Sequence, residues 1–241
     1  MKKPMIIHKP LFHLALIIYL SINFNDKTQA QVPESKQTEQ SSPKGILNQS
    51  ELIDKVQKFY AQAQDFQADF KQSYTYKIYG RKKLSTGKVF FKKPARMRWD
   101  YEVPTPRVFI ADGKTLWVYE PEEAQVFKRD LSSAQLPVAL RFMQGEAKLD
   151  DEFDVETLKD LGQGVAELSL KPKRAQSDFK ALRLKVKSEN GEVLASTLVD
   201  ATGNLNEIKF VAVKVNQGLP NSGFSFTPPE GVRVIDEHNM P

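Results

Sequence analysis

The chain has 241 residues, of which 40% are hydrophobic and 27% are charged, with 12 glycines and 14 prolines. This composition is typical of one globular domain and excludes collagenous and multi-span membrane proteins. The chain contains no cysteine, which excludes disulfides, thiolate metal sites, a cysteine nucleophile and a lipid attached through cysteine. The formal net charge of +5 is compatible with a nucleic-acid or membrane-surface partner.

The first thirty residues carry the pattern of an export signal. Lysines precede an apolar run at residues 11–20, which is shorter than the roughly 20 residues of a membrane-spanning helix. Small residues follow at Thr28 and Ala30, so we predict a signal peptide over residues 1–30, with an uncleaved anchor as the alternative. Cleavage removes four lysines and one aspartate, which lowers the formal net charge from +5 to +2. Export out of the cytoplasm excludes most nucleic-acid partners.

Export also removes two of the three histidines. Cleavage after residue 30 leaves only His238, close to the C-terminus. We therefore expect neither a catalytic triad nor a histidine metal site.

After the signal, residues 31–45 are predicted to form a flexible tail, because they are rich in Ser, Gln and Pro. A single domain is expected over residues 46–241. Asn48 and Glu51 predict the start of a helix that runs to about residue 63. Its large apolar residues share one face: they are Leu52, Ile53, Val56, Phe59 and Tyr60.

From residue 65 the hydrophobic period changes to two, which predicts antiparallel strands separated by turns. The predicted strands are residues 65–78, 84–92, 96–101, 107–111, 115–120, 125–129, 153–158, 165–170, 181–187, 192–199 and 205–215. A short helix is predicted over residues 136–144, and a last strand is predicted to begin at Phe224 and to leave the sheet at Pro228-Pro229. The expected fold is mainly β with helices, as one curved antiparallel sheet with short helices over one face.

The apolar side of these strands is rich in aromatic residues, which leaves two interpretations. The rings either fill the core, as large apolar residues usually do, or line a ligand cavity, because bulky rings pack poorly at the axis of a curved sheet. The set is Phe66, Phe70, Tyr74, Tyr76, Phe90 or Phe91, Trp99, Tyr101, Phe109, Trp117, Tyr119, Phe127 and Phe210.

Two charged segments are interpreted as solvated surface. Residues 92–101 interleave four cations with Trp99 and Tyr101, as single-strand nucleic-acid binders do, but strand alternation places the rings and cations on opposite faces. The acidic run at residues 150–154 lacks the spacing of a calcium loop. No pair of carboxylates is marked out for glycosidase chemistry. We expect no enzyme activity, no cofactor and no metal.

Four short segments occur in a recognisable order. They are FQADFKQ at residues 66–72, Lys93-Pro94 followed by Arg98-Trp99, ADGKTLWVYEP at residues 111–121, and FSFTPPEGV at residues 224–232. Together they resemble the outer-membrane lipoprotein carrier family, LolA. The similarity is strong over residues 52–119 and at the C-terminal end, and between residues 131 and 215 it rests on strand pattern alone.

The resemblance implies an incomplete antiparallel β-barrel, lidded by short helices, that encloses a hydrophobic cavity. It implies a soluble periplasmic chaperone that binds the acyl chains of lipoproteins released from an inner-membrane ABC transporter and shuttles them to the outer membrane. The acceptor there is an outer-membrane lipoprotein receptor, where one exists. That receptor needs an acylated cysteine, so the absence of cysteine favours the carrier. We expect a monomer.

The resemblance also suggests site residues. The cavity is predicted to be lined by Phe70, Trp99, Tyr101 and Trp117, and the lid to present Leu52, Ile53, Val56 and Phe59. Members of this family carry an arginine just before the motif proline that supports lid closure and transfer, and Lys93 stands at that position here. Lysine cannot make a planar two-pronged contact, so Arg96 or Arg98 is an alternative for this role. Met97 is a further candidate for the lid contact or for docking to the transporter.

The alternative function is an envelope lipid- or lipoprotein-sensing module on the same scaffold. Such sensors usually carry a second domain after the barrel, and the sequence ends ten residues after Gly231, which favours the carrier. A secreted polysaccharide-active enzyme is the third interpretation.

Overall fold

The computed structural model describes residues 48–131, 148–174 and 179–236. Helix α1, Gln49–Gln62, begins as predicted, because the Asn48 side chain accepts hydrogen bonds from the backbone N–H groups of Ser50 (3.0 Å) and Glu51 (3.3 Å). A single helical turn, α2, covers Leu149–Glu152, and a 3-10 turn covers Asn221–Phe224.

Twelve strands follow the alternating hydrophobic pattern. They are β1 (Asp65–Tyr76), β2 (Arg81–Lys92), β3 (Arg96–Val103), β4 (Arg107–Asp112), β5 (Thr115–Glu120), β6 (Gln125–Asp130), β7 (Phe153–Gly162), β8 (Val165–Pro172), β9 (Phe179–Lys187), β10 (Val193–Asp200), β11 (Leu205–Val215) and β12 (Arg233–Asp236).

The strands form one sheet in the order β12-β6-β5-β4-β3-β2-β1-β11-β10-β9-β8-β7. Neighbours are antiparallel, except that β12 pairs with β6 in parallel. Within the described ranges β7 and β12 stand at opposite ends of this order, so the curved sheet does not close on itself. The predicted fold, an incomplete antiparallel β-barrel with short helices, is confirmed.

The last strand is the main difference from the sequence prediction. Residues 225–229 have no strand pairing, and pairing starts only at Arg233, after Pro228-Pro229 and the turn at Gly231, where φ is +78°. Proline has no N–H to donate, so the segment joins the sheet only beyond the two prolines. In the acidic run at residues 150–154, Asp150, Asp151 and Glu152 lie on α2 and Asp154 lies on β7. The predicted signal peptide, tail and helix over residues 136–144 lie outside the described ranges.

The buried apolar side chains fall into two clusters. The ring cluster is built on β1 to β5 and β11: its buried members are Phe66, Ala68, Phe70, Val89, Met97, Trp99, Phe109, Ala111, Leu116, Val118 and Ile208. The helix cluster joins α1 to α2 and β7 to β10: its buried members are Leu52, Ile53, Val56, Tyr60, Leu149, Phe153, Ala166, Leu168, Leu170, Leu184, Val186 and Val193. Phe210 on β11 is partly buried and packs against both.

Candidate functional site

The ring cluster holds three of the four predicted cavity residues. The Phe70 ring lies 5.0 Å from Trp99 and 4.8 Å from Tyr101, centroid to centroid, and both contacts are edge-to-face. Tyr101 also meets Phe109 at 5.7 Å. Edge-to-face pairs place the positive edge of one ring against the negative face of another, which is favourable beyond the burial of area alone.

A glycine lets Phe70 sit this close to the sheet. Gly87 on β2 is paired with Phe70 on β1 and with Tyr101 on β3, at a register shift between β2 and β3. A Cβ at residue 87 would lie 1.9 Å from the Asp100 carbonyl oxygen and 2.9 Å from Phe70 Cε1. The position therefore excludes any side chain, and the rings of β1 and β3 meet across the gap that the glycine leaves.

Tyr101 brings a polar group into this apolar surface. Burial raises the pKa of its phenol, and the positive charge of Arg107 and a hydrogen bond with Gln72 oppose that rise in part. The phenol is therefore neutral at physiological pH.

Trp117, the fourth predicted cavity residue, does not belong to this set. The inward residues of β5 are Leu116 and Val118, so Trp117 faces the other side of the sheet. There its ring lies 5.7 Å from Phe226 of the C-terminal segment and 5.9 Å from the Lys128 ammonium. Strand alternation places neighbours on opposite faces, so Trp117 supports the outer packing.

The predicted lid residues lie on α1, but they pack over the other half of the sheet. Leu52, Ile53 and Val56 are buried in the helix cluster, and Phe59 is partly buried against it. Tyr60, which was in the apolar stripe but not in the predicted lid, is buried as well, and burial raises the pKa of its phenol. In this structure α1 covers β8 to β10 rather than the rings of β1 and β3.

Three contacts fix α1 along its length. Lys55 Nζ donates to the Ser188 carbonyl oxygen at 3.2 Å, and the Gln57 side chain accepts from Leu149 N–H at 3.0 Å. Gly191, in the turn between β9 and β10, lies so close that a Cβ there would be 2.4 Å from the Val56 nitrogen. The turn and the helix backbone are in direct contact.

Lys93 makes the contact at the C-terminal end of α1. Its ammonium donates to the carbonyl oxygens of Tyr60 at 2.9 Å and Ala61 at 2.7 Å, and its own N–H donates to the Gln64 carbonyl oxygen at 2.9 Å. The first two carbonyls belong to the last helical turn, where the helix dipole favours a cation. Burial lowers the pKa of the ammonium. Lys93 thus joins the turn between β2 and β3 to α1.

The other candidates for this role lie elsewhere. Arg96 Nη1 lies 3.4 Å from the Pro94 carbonyl oxygen, inside its own turn. Arg98 forms an ion pair with Asp100, at 2.8 Å, and donates to the Gly223 carbonyl oxygen at 3.3 Å. Met97 is buried in the ring cluster. Among the contacts within the described ranges, Lys93 is the one of these four residues that reaches α1.

Clustered metal ligands and long apolar helices are both missing from the described ranges. There, no group of three or more His, Asp or Glu residues is placed to hold a metal ion. In the same part of the chain, no helix combines the length and the apolar character needed to cross a membrane.

The model of one protein family, "Outer membrane lipoprotein carrier protein LolA", matches residues 61–227. The chain belongs to this family. A LolA-family relative from Dechloromonas aromatica, named outer-membrane lipoprotein carrier protein, is 30% identical over 196 residues, which is 80% of this chain and 91% of the relative. A relative of the same name from Pseudomonas fluorescens is 35% identical over 156 residues, 64% of this chain and 73% of the relative.

A solved structure supports the fold assignment. An uncharacterized conserved protein from Thermus thermophilus superposes with a TM-score of 0.51 at 16% identity, covering 78% of this chain and 98% of that one. LolA-family proteins are carriers and not enzymes, so the expectation of no enzyme activity is confirmed by family membership.

Three residues in this LolA-family site are absent from the site residues predicted from the sequence. Tyr60 shares the helical spacing of the lid residues, so the spacing alone was sufficient to include it. Phe210 stood among the aromatic residues, but only the strand order shows that it borders both clusters. Gly191 lies in the turn between β9 and β10, and its contact with α1 joins residues far apart in the sequence, which no local pattern reveals.

Proposed function

We propose that this protein carries acylated lipoproteins through the periplasm, covering their acyl chains between α1 and the concave face of the sheet. It receives them from an inner-membrane lipoprotein-releasing ABC transporter and delivers them to the outer membrane, to a lipoprotein receptor where one exists. The observation that carries the proposal is the arrangement of two apolar clusters that meet at Phe210, one of them covered by a single helix. Family membership supports the same function.

The free energy gained by burying the apolar face of α1 is similar in size to that gained by burying one acyl chain. Exposing one long acyl chain to water costs on the order of 10 kcal/mol, at about 0.8 kcal/mol per CH₂. The four buried apolar side chains of α1 are worth roughly 6–12 kcal/mol together, at about 1.5–3 kcal/mol each. Replacing the apolar face of α1 by an acyl chain therefore changes the total free energy little. A carrier needs this balance, because it must bind its cargo and then release it without ATP.

In this proposal Phe70, Trp99 and Tyr101 provide the acyl-chain surface on β1 and β3. Leu52, Ile53, Val56 and Phe59 leave the helix cluster when α1 opens, and Phe210 then connects the two apolar surfaces. Lys93 holds the closed state from the C-terminal end of α1. An ammonium on two carbonyl oxygens stabilises that state by a small amount, so it can be broken when cargo enters.

The direct test uses protein purified from the periplasm of a Gram-negative host and a triacylated lipoprotein in membrane vesicles that contain the releasing transporter. We expect ATP-dependent appearance of the lipoprotein in the soluble fraction, bound to the carrier in a one-to-one complex. A soluble fraction without lipoprotein would contradict the carrier function, and a lipid ligand without protein cargo would favour the lipid-sensing alternative.

The role of Lys93 is tested with a matched pair of variants. Lys93→Met removes the ammonium from the end of α1 and is expected to weaken closure, giving stronger binding of a hydrophobic fluorescent dye to the cargo-free protein. Arg96→Met removes a cation three residues away that does not reach the helix and should bind dye like the wild type. Lys93→Arg keeps the charge and should restore weak dye binding. Equal dye binding by Lys93→Met and the wild type would remove Lys93 from this role.

A further inference from the structure

The end of the β1–β2 hairpin projects from the sheet with apolar side chains in solvent. Ile78 is 80% exposed, Tyr79 is 74% exposed and Leu84 is 66% exposed. We refer to residues 77–84 as the hairpin tip. Ile78 and Tyr79 occupy its turn and Leu84 lies on β2 just beyond it. These are the three most exposed large hydrophobic residues in the described ranges.

The tip is a rigid extension rather than a loose loop. β1 and β2 stay paired up to Tyr76 opposite Arg81. β3 pairs with β2 no further than Val103 opposite Thr86, so β2 runs five residues beyond its neighbour. At the base, the Lys77 N–H donates to the Asn204 side chain at 3.0 Å.

Cations surround the apolar apex. Lys77, Arg81 and Lys82 are exposed, and none of them forms an ion pair in the described part of the chain. The surrounding sequence adds to this positive charge, because residues 70–99 contain ten lysines and arginines and no aspartate or glutamate. The tip therefore combines strong positive charge with a small apolar surface, although the whole chain carries only +5.

We propose that the hairpin tip docks the protein on a bilayer that contains anionic phospholipids. Ile78 and Tyr79 enter the headgroup layer, while the cations beside them bind lipid phosphates. Tyrosine suits this depth because its ring is apolar and its hydroxyl is polar. Lysine and arginine stems lie along the apolar region and keep their charges at the phosphates. An anionic surface attracts basic segments that lie within a Debye length.

Charge complementarity selects this occupant over a second copy of the chain. Two copies meeting tip to tip would bring six exposed cations together with no acid in residues 70–99 to compensate them. An anionic lipid surface compensates every one of them. The proposal goes beyond the carrier function and does not depend on it, because docking needs neither cargo nor transporter.

The test is sedimentation of cargo-free protein, purified from the periplasm of a Gram-negative host, with lipid vesicles. We expect binding to vesicles of phosphatidylglycerol and phosphatidylethanolamine, a loss of that binding at high salt, and little binding to phosphatidylcholine alone. The double variant Ile78→Ser/Tyr79→Ser and the triple variant Lys77→Gln/Arg81→Gln/Lys82→Gln should each weaken binding. The expected loss is a factor of roughly five per cation.

Control variants carry comparable changes near the β7 end of the sheet. Leu161→Ser removes an exposed apolar side chain from β7, and Lys159→Gln/Lys171→Gln/Arg183→Gln removes three exposed cations from β7 to β9. Both controls should bind vesicles like the wild type. Wild-type protein that ignores anionic vesicles, or hairpin variants that bind as well as the controls, would overturn the proposal.

The absence of cysteine allows a direct measurement of depth. A polarity-sensitive fluorophore on Tyr79→Cys should shift to the blue on anionic vesicles, and the same fluorophore on Leu161→Cys should not. A label at residue 79 that stays in water while the protein sediments with vesicles overturns the proposal. Lipoprotein binding in detergent-free solution should be unchanged in the hairpin variants, so failure of docking and failure of the carrier function give different results.

Discussion

Asp200 is a buried carboxylate whose two oxygens bind neighbouring groups from β1 and from the turn that follows β10. One oxygen accepts from the Thr202 N–H (2.8 Å), the Thr202 hydroxyl (2.7 Å) and the Asn204 N–H (2.9 Å). The other accepts from the Tyr74 hydroxyl at 3.1 Å and the Asn204 amide at 2.8 Å. Burial alone raises the pKa of this carboxyl, but the hydrogen bonds outweigh it and the pKa lies below its ordinary value.

The lowered pKa of Asp200 predicts a pH-dependent contribution to stability. The folded protein favours the carboxylate form more than the unfolded chain does, where the pKa of aspartate is about 3.9. The contribution to stability is therefore present above that pH and is lost as pH falls through the folded pKa. Asp200→Asn should lower the free energy of unfolding by about 1–3 kcal/mol at pH 7. Urea unfolding should show the gap between variant and wild type narrowing below about pH 4.

The exposed Asp154 on β7 supplies the control for Asp200. Asp154→Asn should unfold at the wild-type urea concentration at neutral pH. If the difference in the free energy of unfolding between Asp200→Asn and the wild type stays constant down to low pH, Asp200 stabilises the fold through its shape and not through its charge.

At the scale of elements, the turn between β9 and β10 determines how closely α1 can dock. Gly191 has φ of +79°, and a Cβ there would lie 2.4 Å from backbone atoms of Lys55 and Val56. Gly164, in the turn between β7 and β8, has a similar φ of +73°, but nothing lies within 4 Å of its Cβ position. Substitution of either glycine would therefore strain the backbone to a similar degree. Only a side chain at residue 191 would also collide with the helix.

This difference predicts unequal effects of the same substitution. Gly164→Ala should cost about 1–2 kcal/mol in the free energy of unfolding, from the left-handed backbone alone. Gly191→Ala should cost more than that, because the methyl group also displaces α1. It should also raise dye binding by the cargo-free protein, which Gly164→Ala should not do. Equal effects of the two variants on stability and dye binding would show that the turn does not hold the helix.

The sequence predicts elements better than it predicts their packing. The α1 stripe and most strands were found because each depends on local periodicity. The face of Trp117 could not be predicted because both faces of β5 are apolar: one face joins the ring cluster and the other meets Phe226. Alternation cannot choose a face when both are apolar. The position of α1 over β8 to β10 depends on strand order, which no local pattern contains.

At the scale of the whole molecule, α1 is held by an apolar face and a few polar and backbone contacts rather than by the sheet's hydrogen-bond ladder. Its face is apolar, its C-terminal end rests on Lys93, and the two clusters share Phe210 at their border. In the proposed function, an acyl chain that enters beside Phe210 would replace the apolar contacts of the helix with its own. The sheet has its own ladder of backbone hydrogen bonds, so the proposed opening would be confined to α1 and its contacts.

If α1 opens while the sheet stays intact, amide hydrogen exchange should change in α1 and not in the sheet when the protein is loaded with a triacylated lipoprotein. A helix of 14 residues is marginally stable in water without packing, so undocking should fray it and speed exchange of its amides by roughly tenfold or more. Amides in the ladder between β1 and β11 should exchange as slowly as in the empty protein. Lys93→Met should move the empty protein part of the way toward the loaded pattern, because it weakens the same closed state. Slower exchange in α1 on loading would contradict a lid and place the acyl chains beneath a helix that stays docked.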